Sequence, residues 1–377
     1  MLYNSCRYFV LTGGTYMCQN PFDPQFGQVP KLFLDYDYQA RSMVSRMKSS
    51  NVGQAWFITG LRGSGKTVLL NYFGKLISKE PGYFVVRTNN DSHLFERLYR
   101  SLVPVVSSWH LDSVSLGGLH FSHDLPVNEL DYEAALTRLF SSLKVSTNYR
   151  IVILLDEAGK SDYMRSFSNA FRDWNSGGLP VNVVMTGLLK EITDLSEDEN
   201  LTFLLRATRF LMKPLLAQSI KDVYVEYFHD DQLARKMTMM TMGYPFAFQL
   251  LGYEMWEASQ NSVDHGEDLL NDVVRHYKDR LFTQAYLENI KSMRGRTFDY
   301  LVAVKNCDGH TGEIAKSLGV SPQSGNNLRA RLIRYGLIRP NGFGKVAFTL
   351  PYFGDFVSDP TGYGLDNDVY SFDDRMK

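Results

Sequence analysis

Gly60-Leu61-Arg62-Gly63-Ser64-Gly65-Lys66-Thr67 is the stretch on which the reading of this chain turns. Its spacing, G-x-x-x-x-G-K-[ST], is that of a loop that cradles phosphates. The apolar run Ala55-Trp56-Phe57-Ile58-Thr59 stands before it, and the helical pattern Val68-Leu69-Leu70-Asn71-Tyr72-Phe73 follows. Strand, glycine-rich turn and helix are the context such a loop requires. Its glycines let successive backbone N–H groups turn inward on phosphate oxygens at a helix N-terminus. Gly60, Gly63, Ser64, Gly65, Lys66, Thr67 and Val68 are therefore expected to hold a nucleoside triphosphate. Lys66 would reach the β- and γ-phosphates, and the Thr67 hydroxyl would ligate Mg²⁺.

Phosphoryl transfer also needs a carboxylate near the metal and a group that orients the attacking water. About 90 residues downstream, Ile151-Val152-Ile153-Leu154-Leu155 runs into Asp156-Glu157. Five apolar residues in a row suit a central strand of a parallel sheet. At its end Asp156 is expected to hold Mg²⁺ through the water shell, and Glu157 to polarise the water. Asn89 and Asn90 close the candidate strand 83–89, and Thr186 closes 181–186. Ligands in such sheets lie at the carboxyl ends of strands. Either group could sense the γ-phosphate or position Glu157.

Outward from this centre, short apolar runs at 54–59, 83–89, 149–156, 181–186 and 209–212 alternate with helical patterns. The alternation implies an α/β fold, a parallel sheet with helices on both faces. Residues 1–34 read as an N-terminal arm, Pro- and Phe-rich from 18 onward, and 35–215 as the nucleotide-binding domain. Leu111–Pro126 has no clear period and could be a hairpin insertion. From 216 to 290 four helical patterns, 217–229, 231–242, 246–260 and 263–290, follow without strands, as in a separate helical domain. Residues 291–354 form a differently patterned module, and 355–377 an acidic tail expected to be disordered from about Ser358.

The chain has 377 residues and a formal net charge of −1. That near-neutrality hides asymmetry. Residues 291–350 carry ten Lys/Arg against three Asp/Glu, a local charge of +7, whereas 351–377 carry −4. A basic module of this kind points to nucleic acid. Cys6, Cys18 and Cys307 are odd in number and widely spaced, which suggests neither a disulfide framework nor a zinc site. No apolar run approaches the roughly 20 residues that span a bilayer. The apolar run Tyr8–Leu11 is too short for a signal peptide, so a cytoplasmic protein is expected, with Met17 an alternative start.

Within 310–350, Thr311 is expected to cap a helix whose Ile314, Ala315 and Leu318 face inward. Gly319 permits a tight turn, Ser321 caps and Pro322 starts a second helix. Leu328 and Leu332 give that helix its core stripe, leaving Gln323, Asn326, Asn327, Arg329 and Arg331 outward. Arg339–Phe348 reads as a hairpin wing. In such modules the second helix enters the major groove, where Asn and Gln suit adenine and Arg suits guanine. Arg334, Arg339 and Lys345 would meet phosphates. A solvated face used for protein contacts has the same pattern.

The order of these features carries a resemblance. Gly60–Thr67, Asp156-Glu157, Thr186-Gly187, Arg206 and Arg209 before Pro214-Leu215, Gly243-Tyr244-Pro245 and the C-terminal module follow one another as in a known family. The chain resembles, over about residues 20–354, the AAA+ ATPases close to the archaeal and eukaryotic replication initiators and the signal-transduction ATPases with numerous domains. It looks most like the prokaryotic single-chain, ATP-binding members. The resemblance implies strand order 5-1-4-3-2, a helical lid and a C-terminal winged helix. It implies that Arg206, or Arg209 in its place, is an arginine finger, often supplied by a neighbouring subunit. Pro245, in a Gly-x-Pro turn, would let the lid feel the nucleotide, and Asn20–Pro30 would approach the adenine. No arginine follows closely on Pro245, unlike the lid of other members. The expected function is an ATP-binding and hydrolysing switch that couples nucleotide state to duplex DNA through residues 310–350. The alternative is a signalling ATPase whose winged helix is an internal packing or partner-docking module for protein-protein contacts, in a homo-oligomer or with another protein partner. A metabolic kinase is disfavoured because nothing resembles an acceptor site.

Overall fold

The computed structural model describes residues 19–25, 27, 29–50, 53–108, 131–146, 148–196, 207–261, 266–290, 293 and 295–359. Met17, the 111–126 segment, Arg206 and the tail beyond Asp359 lie outside the described residues.

After the arm, α1 (Asp37–Lys48) leads to β1 (Ala55–Gly60), the phosphate loop and α2 (Lys66–Ile77). Then come β2 (Tyr83–Asn89), α3 (Leu94–Ser108), α4 (Tyr132–Ser146), β3 (Arg150–Asp156), α5 (Asp162–Ser176), β4 (Val181–Leu188), α6 (Leu189–Ser196) and β5 (Thr208–Leu211). These strands form a parallel sheet of order β2-β3-β4-β1-β5, the expected 5-1-4-3-2 read from the other edge. Side chains alternate across it as a period of two demands. Trp56, Ile58, Val152, Leu154 and Val184 face α1, α2 and the lid. Phe57, Ile151, Ile153, Leu155, Val183 and Met185 face α3 to α6. Both faces are covered, which is why β3 reads as an unbroken apolar run from Ile151 to Leu155.

The lid comprises α7 (Ala217–Phe228), α8 (Asp231–Thr241), α9 (Pro245–Asn261) and α10 (Glu267–Leu281). Asp230 caps α8 by accepting the Gln232 and Leu233 N–H groups. The helix expected over 263–290 is interrupted: a π turn, Phe282–Tyr286, separates α10 from the short α11 (Leu287–Ile290). The arm is strapped to this lid. Phe22, 1% exposed, sits among Tyr224, Tyr227, Phe228 and Phe248. Gly252 makes room, since a Cβ there would lie 2.3 Å from the Phe22 ring. Asp35 accepts the Leu216 N–H and the Ser219 hydroxyl, both at 2.7 Å.

The C-terminal module is α12 (Arg296–Asn306), α13 (Thr311–Ser317), α14 (Pro322–Arg334), the antiparallel hairpin β6 (Ile338–Pro340) and β7 (Val346–Phe348), and α15 (Phe353–Ser358). Ser321 caps α14 as expected, accepting the Ser324 N–H. Thr311 does not cap α13. His310 is held extended by its bridge to Lys345, so it takes the cap position, and the Thr311 hydroxyl donates to the Gly344 carbonyl. Phe356 and Val357 are buried, so the module runs through α15 to Ser358, past the boundary expected at 354.

Candidate nucleotide site

β1 ends at Gly60, and the chain turns through Gly63 and Gly65, both at positive φ (75° and 87°), into α2. Those backbone angles strain any residue with a Cβ. Gly63 is also confined by the lid, since a Cβ there would lie 2.3 Å from the Tyr244 hydroxyl. The sequence thus shapes the loop twice, through backbone freedom and through close approach.

Lys66 Nζ donates to the Leu61 carbonyl at 2.9 Å. Burial pushes its pKa down from 10.5 to about 8, against the opposing pull of Asp156, Glu191 and Glu157. A cation so poorly solvated gains most from an anion, which is what a phosphate-binding lysine needs.

Parallel pairing sets β3 beside β2 and β4, so Asp156 stands level with Asn89. Three donors converge on Asp156 Oδ1: the Thr67 hydroxyl at 3.2 Å, the Glu157 N–H at 3.2 Å, and the Thr186 hydroxyl. Thr186 is fully buried, and its oxygen also accepts the Glu157 N–H at 3.1 Å. Its hydroxyl is therefore placed to position Asp156 and Glu157. Glu157 adopts φ +56° and is exposed toward the cavity. Asn90 braces the next turn, donating to the Gly159 carbonyl at 2.9 Å and accepting the Ser161 hydroxyl at 2.5 Å.

These groups open onto one cavity of about 530 Å³. Its floor is the phosphate loop, and Asp156, Glu157 and Glu191 line one side. The arm contributes Pro24, Leu32, Phe33, Leu34 and Tyr36, and the lid Leu215, Pro245, Phe246 and Phe248. Gln249 joins lid to arm, accepting the Asp23 N–H at 2.9 Å and donating to the Leu32 carbonyl at 3.0 Å. One end is therefore polar and anion-ready, and the other apolar and aromatic.

Among the expected site residues, the structure brings Gly63, Gly65, Lys66, Thr67, Val68, Asp156, Glu157 and Pro245 to the cavity wall. Gly60, Ser64 and Thr186 lie just behind it, and Ser64 is buried under the loop. Arg209 lies on β5, an edge strand, exposed and away from the cavity wall. The sequence reading missed Glu191. It stands in the first turn of α6, accepts the Leu188 N–H at 3.2 Å, and faces Lys66. The carboxylate that follows Thr186-Gly187 after Leu188-Leu189-Lys190 was the available signal. Among the described residues no group of three or more His, Cys, Asp or Glu side chains is arranged to hold a metal. Thr67 and Asp156 are hard oxygen donors that fit Mg²⁺, with phosphate oxygens and water completing the shell.

On the C-terminal module, Gln323, Asn326, Asn327, Arg331, Arg334 and Arg339 are exposed. Arg329 is half-buried beside Tyr300, and Lys345 lies 3.7 Å from Asp308.

A family model described as "Domain of unknown function (DUF8462)" matches residues 284–357. No curated protein matches the chain. Among solved structures, the ORC2 protein of Aeropyrum pernix in ADPNP–ADP complexes is similar at 11% identity, over 86% of this chain and 93% of that one, with a TM-score of 0.55. Cdc6p of Pyrobaculum aerophilum matches at 13% identity, over 91% and 98%, with a TM-score of 0.47. Drosophila ORC bound to DNA matches at 12% identity, over 95% of each chain, also at 0.47. Only the first of these three likenesses is close enough to speak for the fold, and at such identity it speaks for nothing more. With its strand order, phosphate loop and helical lid, this chain has an AAA+ fold, shared with the ORC2 protein of A. pernix.

Proposed function

We propose that the protein binds ATP with Mg²⁺ between arm, phosphate loop and lid, and hydrolyses it. One observation carries this reading: Lys66 and Thr67 from one stretch, and Asp156 and Glu157 from another, meet at the polar end of one cavity. The apolar end, with Phe33, Tyr36 and Phe246, suits a purine. The A. pernix fold neighbour is described with ADPNP and ADP, which supports the same ligand class. In the mechanism, the loop N–H groups and Lys66 bind the phosphates. Thr67 and Asp156 would hold Mg²⁺, which when bound neutralises charge on the phosphate oxygens. Glu157 takes a proton from the attacking water, with Thr186 fixing where that carboxylate stands. Arg206, or Arg209 on the exposed edge strand, would act from an adjoining copy. Calorimetry on Lys66→Ala tests the reading, because tight ATP binding should vanish. Unchanged affinity would remove it.

The output proposed is duplex DNA binding through residues 310–350. The support is the +7 charge of 291–350 together with the exposed Asn326, Asn327 and Arg331 of α14. The second reading, a signalling ATPase whose module packs internally or docks a partner, is favoured in its internal form by the seating of Gly336 directly on Leu189 and Leu61 of the nucleotide domain. Binding to duplex DNA at low salt, with and without ATP, separates them. Among the described residues no helix is long and apolar enough to cross a membrane.

A further inference from the structure

The phosphate loop is gripped from outside by groups other than those expected to touch phosphate. The Tyr244 hydroxyl donates to the Arg62 carbonyl, and the Phe246 N–H donates to the Gly63 carbonyl at 3.2 Å. Both belong to the lid turn. A third grip comes from further along the chain. The Arg62 N–H donates to Asn289 Oδ1 at 3.2 Å.

Asn289 lies in α11, at the front of the region 284–357, and is 8% exposed. Its Nδ2 donates to the Ala285 carbonyl at 3.1 Å, so both ends of the carboxamide are committed. The π turn before it widens the helix by one residue, which rotates every later side chain by about 100°. The neighbouring Tyr286 is buried and donates its hydroxyl to the Pro351 carbonyl at 2.6 Å, with its ring against Phe353 and Phe356. This one stretch of chain therefore bonds the phosphate loop on one side and the end of the C-terminal module on the other. A second contact runs beside it. Gly336, at φ +76°, lies so near the nucleotide domain that a Cβ would sit 2.6 Å from Leu189 and 3.7 Å from Leu61.

The Leu61 carbonyl and the Arg62 N–H are the two polar ends of a single peptide group. Lys66 Nζ holds the oxygen, and Asn289 holds the N–H. When Lys66 leaves that carbonyl for a phosphate, Asn289 remains to fix the peptide plane at the mouth of the loop.

We propose that Asn289 is a positioning residue for the phosphate loop, through which nucleotide binding and seating of the C-terminal module favour one another. The proposal rests on the nucleotide-binding reading above. If the module steadies the loop for nucleotide, bound nucleotide steadies the module by the same factor.

The test uses the full chain, with Mg²⁺ and a non-hydrolysable ATP analogue. Asn289→Leu keeps the volume and loses the acceptor, and Asn289→Ser is too short to reach. Losing one buried hydrogen bond should weaken analogue binding about five- to tenfold in each variant. Amide exchange gives the second readout. In the unsubstituted protein the analogue should slow exchange in α11 to α14, and in both variants that slowing should be lost. Variants that bind with unchanged affinity and still transmit protection overturn the proposal. So does a lowered melting temperature with unchanged affinity, because that marks a purely structural side chain. If the unsubstituted protein binds no analogue, the nucleotide reading itself falls, and this proposal with it.

Discussion

Thr186→Val isolates the step between the sheet and the chemistry. Valine matches threonine in shape, and the site is fully buried, so the change removes a hydroxyl with little loss of packing. Two hydrogen bonds go with it: the one Thr186 donates to Asp156, and the 3.1 Å bond it accepts from the Glu157 N–H. At about 1 kcal/mol each, the loss is about 2 kcal/mol. Glu157 is the residue least able to bear it, because its φ of +56° costs about 1–2 kcal/mol in a residue with a Cβ. Once its N–H is less well held, the carboxylate spends less time where water must be oriented. If the full loss appears in the barrier, turnover falls about 30-fold, at 1.36 kcal/mol per factor of ten. Phosphate release at saturating ATP measures the turnover, and calorimetry measures ATP affinity, which should change far less than in Lys66→Ala. Thr186→Ser restores the hydroxyl and should recover most of the rate. Wild-type turnover in Thr186→Val, in protein that melts as a single species, would refute the positioning role.

Other outcomes follow from the same geometry. Glu157→Gln keeps shape but loses the base, so ATP should bind while turnover drops by about 100-fold or more in steady-state assays. Lys66 is charged below about pH 8 and loses its proton above it, so ATP affinity should fall as pH rises through that value. The stability term has the opposite sign. The unfolded chain holds this proton up to about 10.5, so the empty protein gains stability from Lys66 between about pH 8 and that value. Titration calorimetry and thermal melts between pH 7 and 9.5 read both, and flat affinity would show that the Lys66 charge is not used. On duplex DNA, Arg334→Ala and Lys345→Ala should each lower the slope of log K against log salt by about one, on all sequences alike. Asn326, Asn327 and Arg329, if they touch bases, should instead shift sequence preference by about 1–3 kcal/mol each.

Much of the nucleotide-site core was legible in the sequence because it is local. A loop that wraps phosphate needs glycines at fixed offsets and a helix directly after them, so Gly60–Thr67 announces itself. A buried parallel strand must be apolar throughout, so Ile151–Leu155 points to Asp156 and Glu157. Ser321 with Pro322 marks a helix start by backbone chemistry that involves no distant residue. Local rules erred where a distant residue intervened. Thr311 looks like a cap, but Lys345 holds His310 extended and moves the helix start. The pattern over 263–290 looks continuous, but the chain widens at Phe282–Tyr286, just before Asn289 meets Arg62.

The sequence by itself determined the phosphate loop, the acidic strand end, the alternation that makes a parallel sheet and the basic C-terminal module. Only the tertiary structure decided what surrounds that loop: the arm's Phe33 and Tyr36, the lid's Tyr244 and Phe246, Glu191 near Lys66, Asn289 bonded to Arg62 and Gly336 seated on Leu61. The reason is physical. Residues that must be contiguous to bend a backbone leave a spacing in the chain. Residues that meet because a sheet, a lid and a third body close on one another leave none, since their separations are set by packing between elements as far apart in the chain as Arg62 and Asn289 or Leu61 and Gly336.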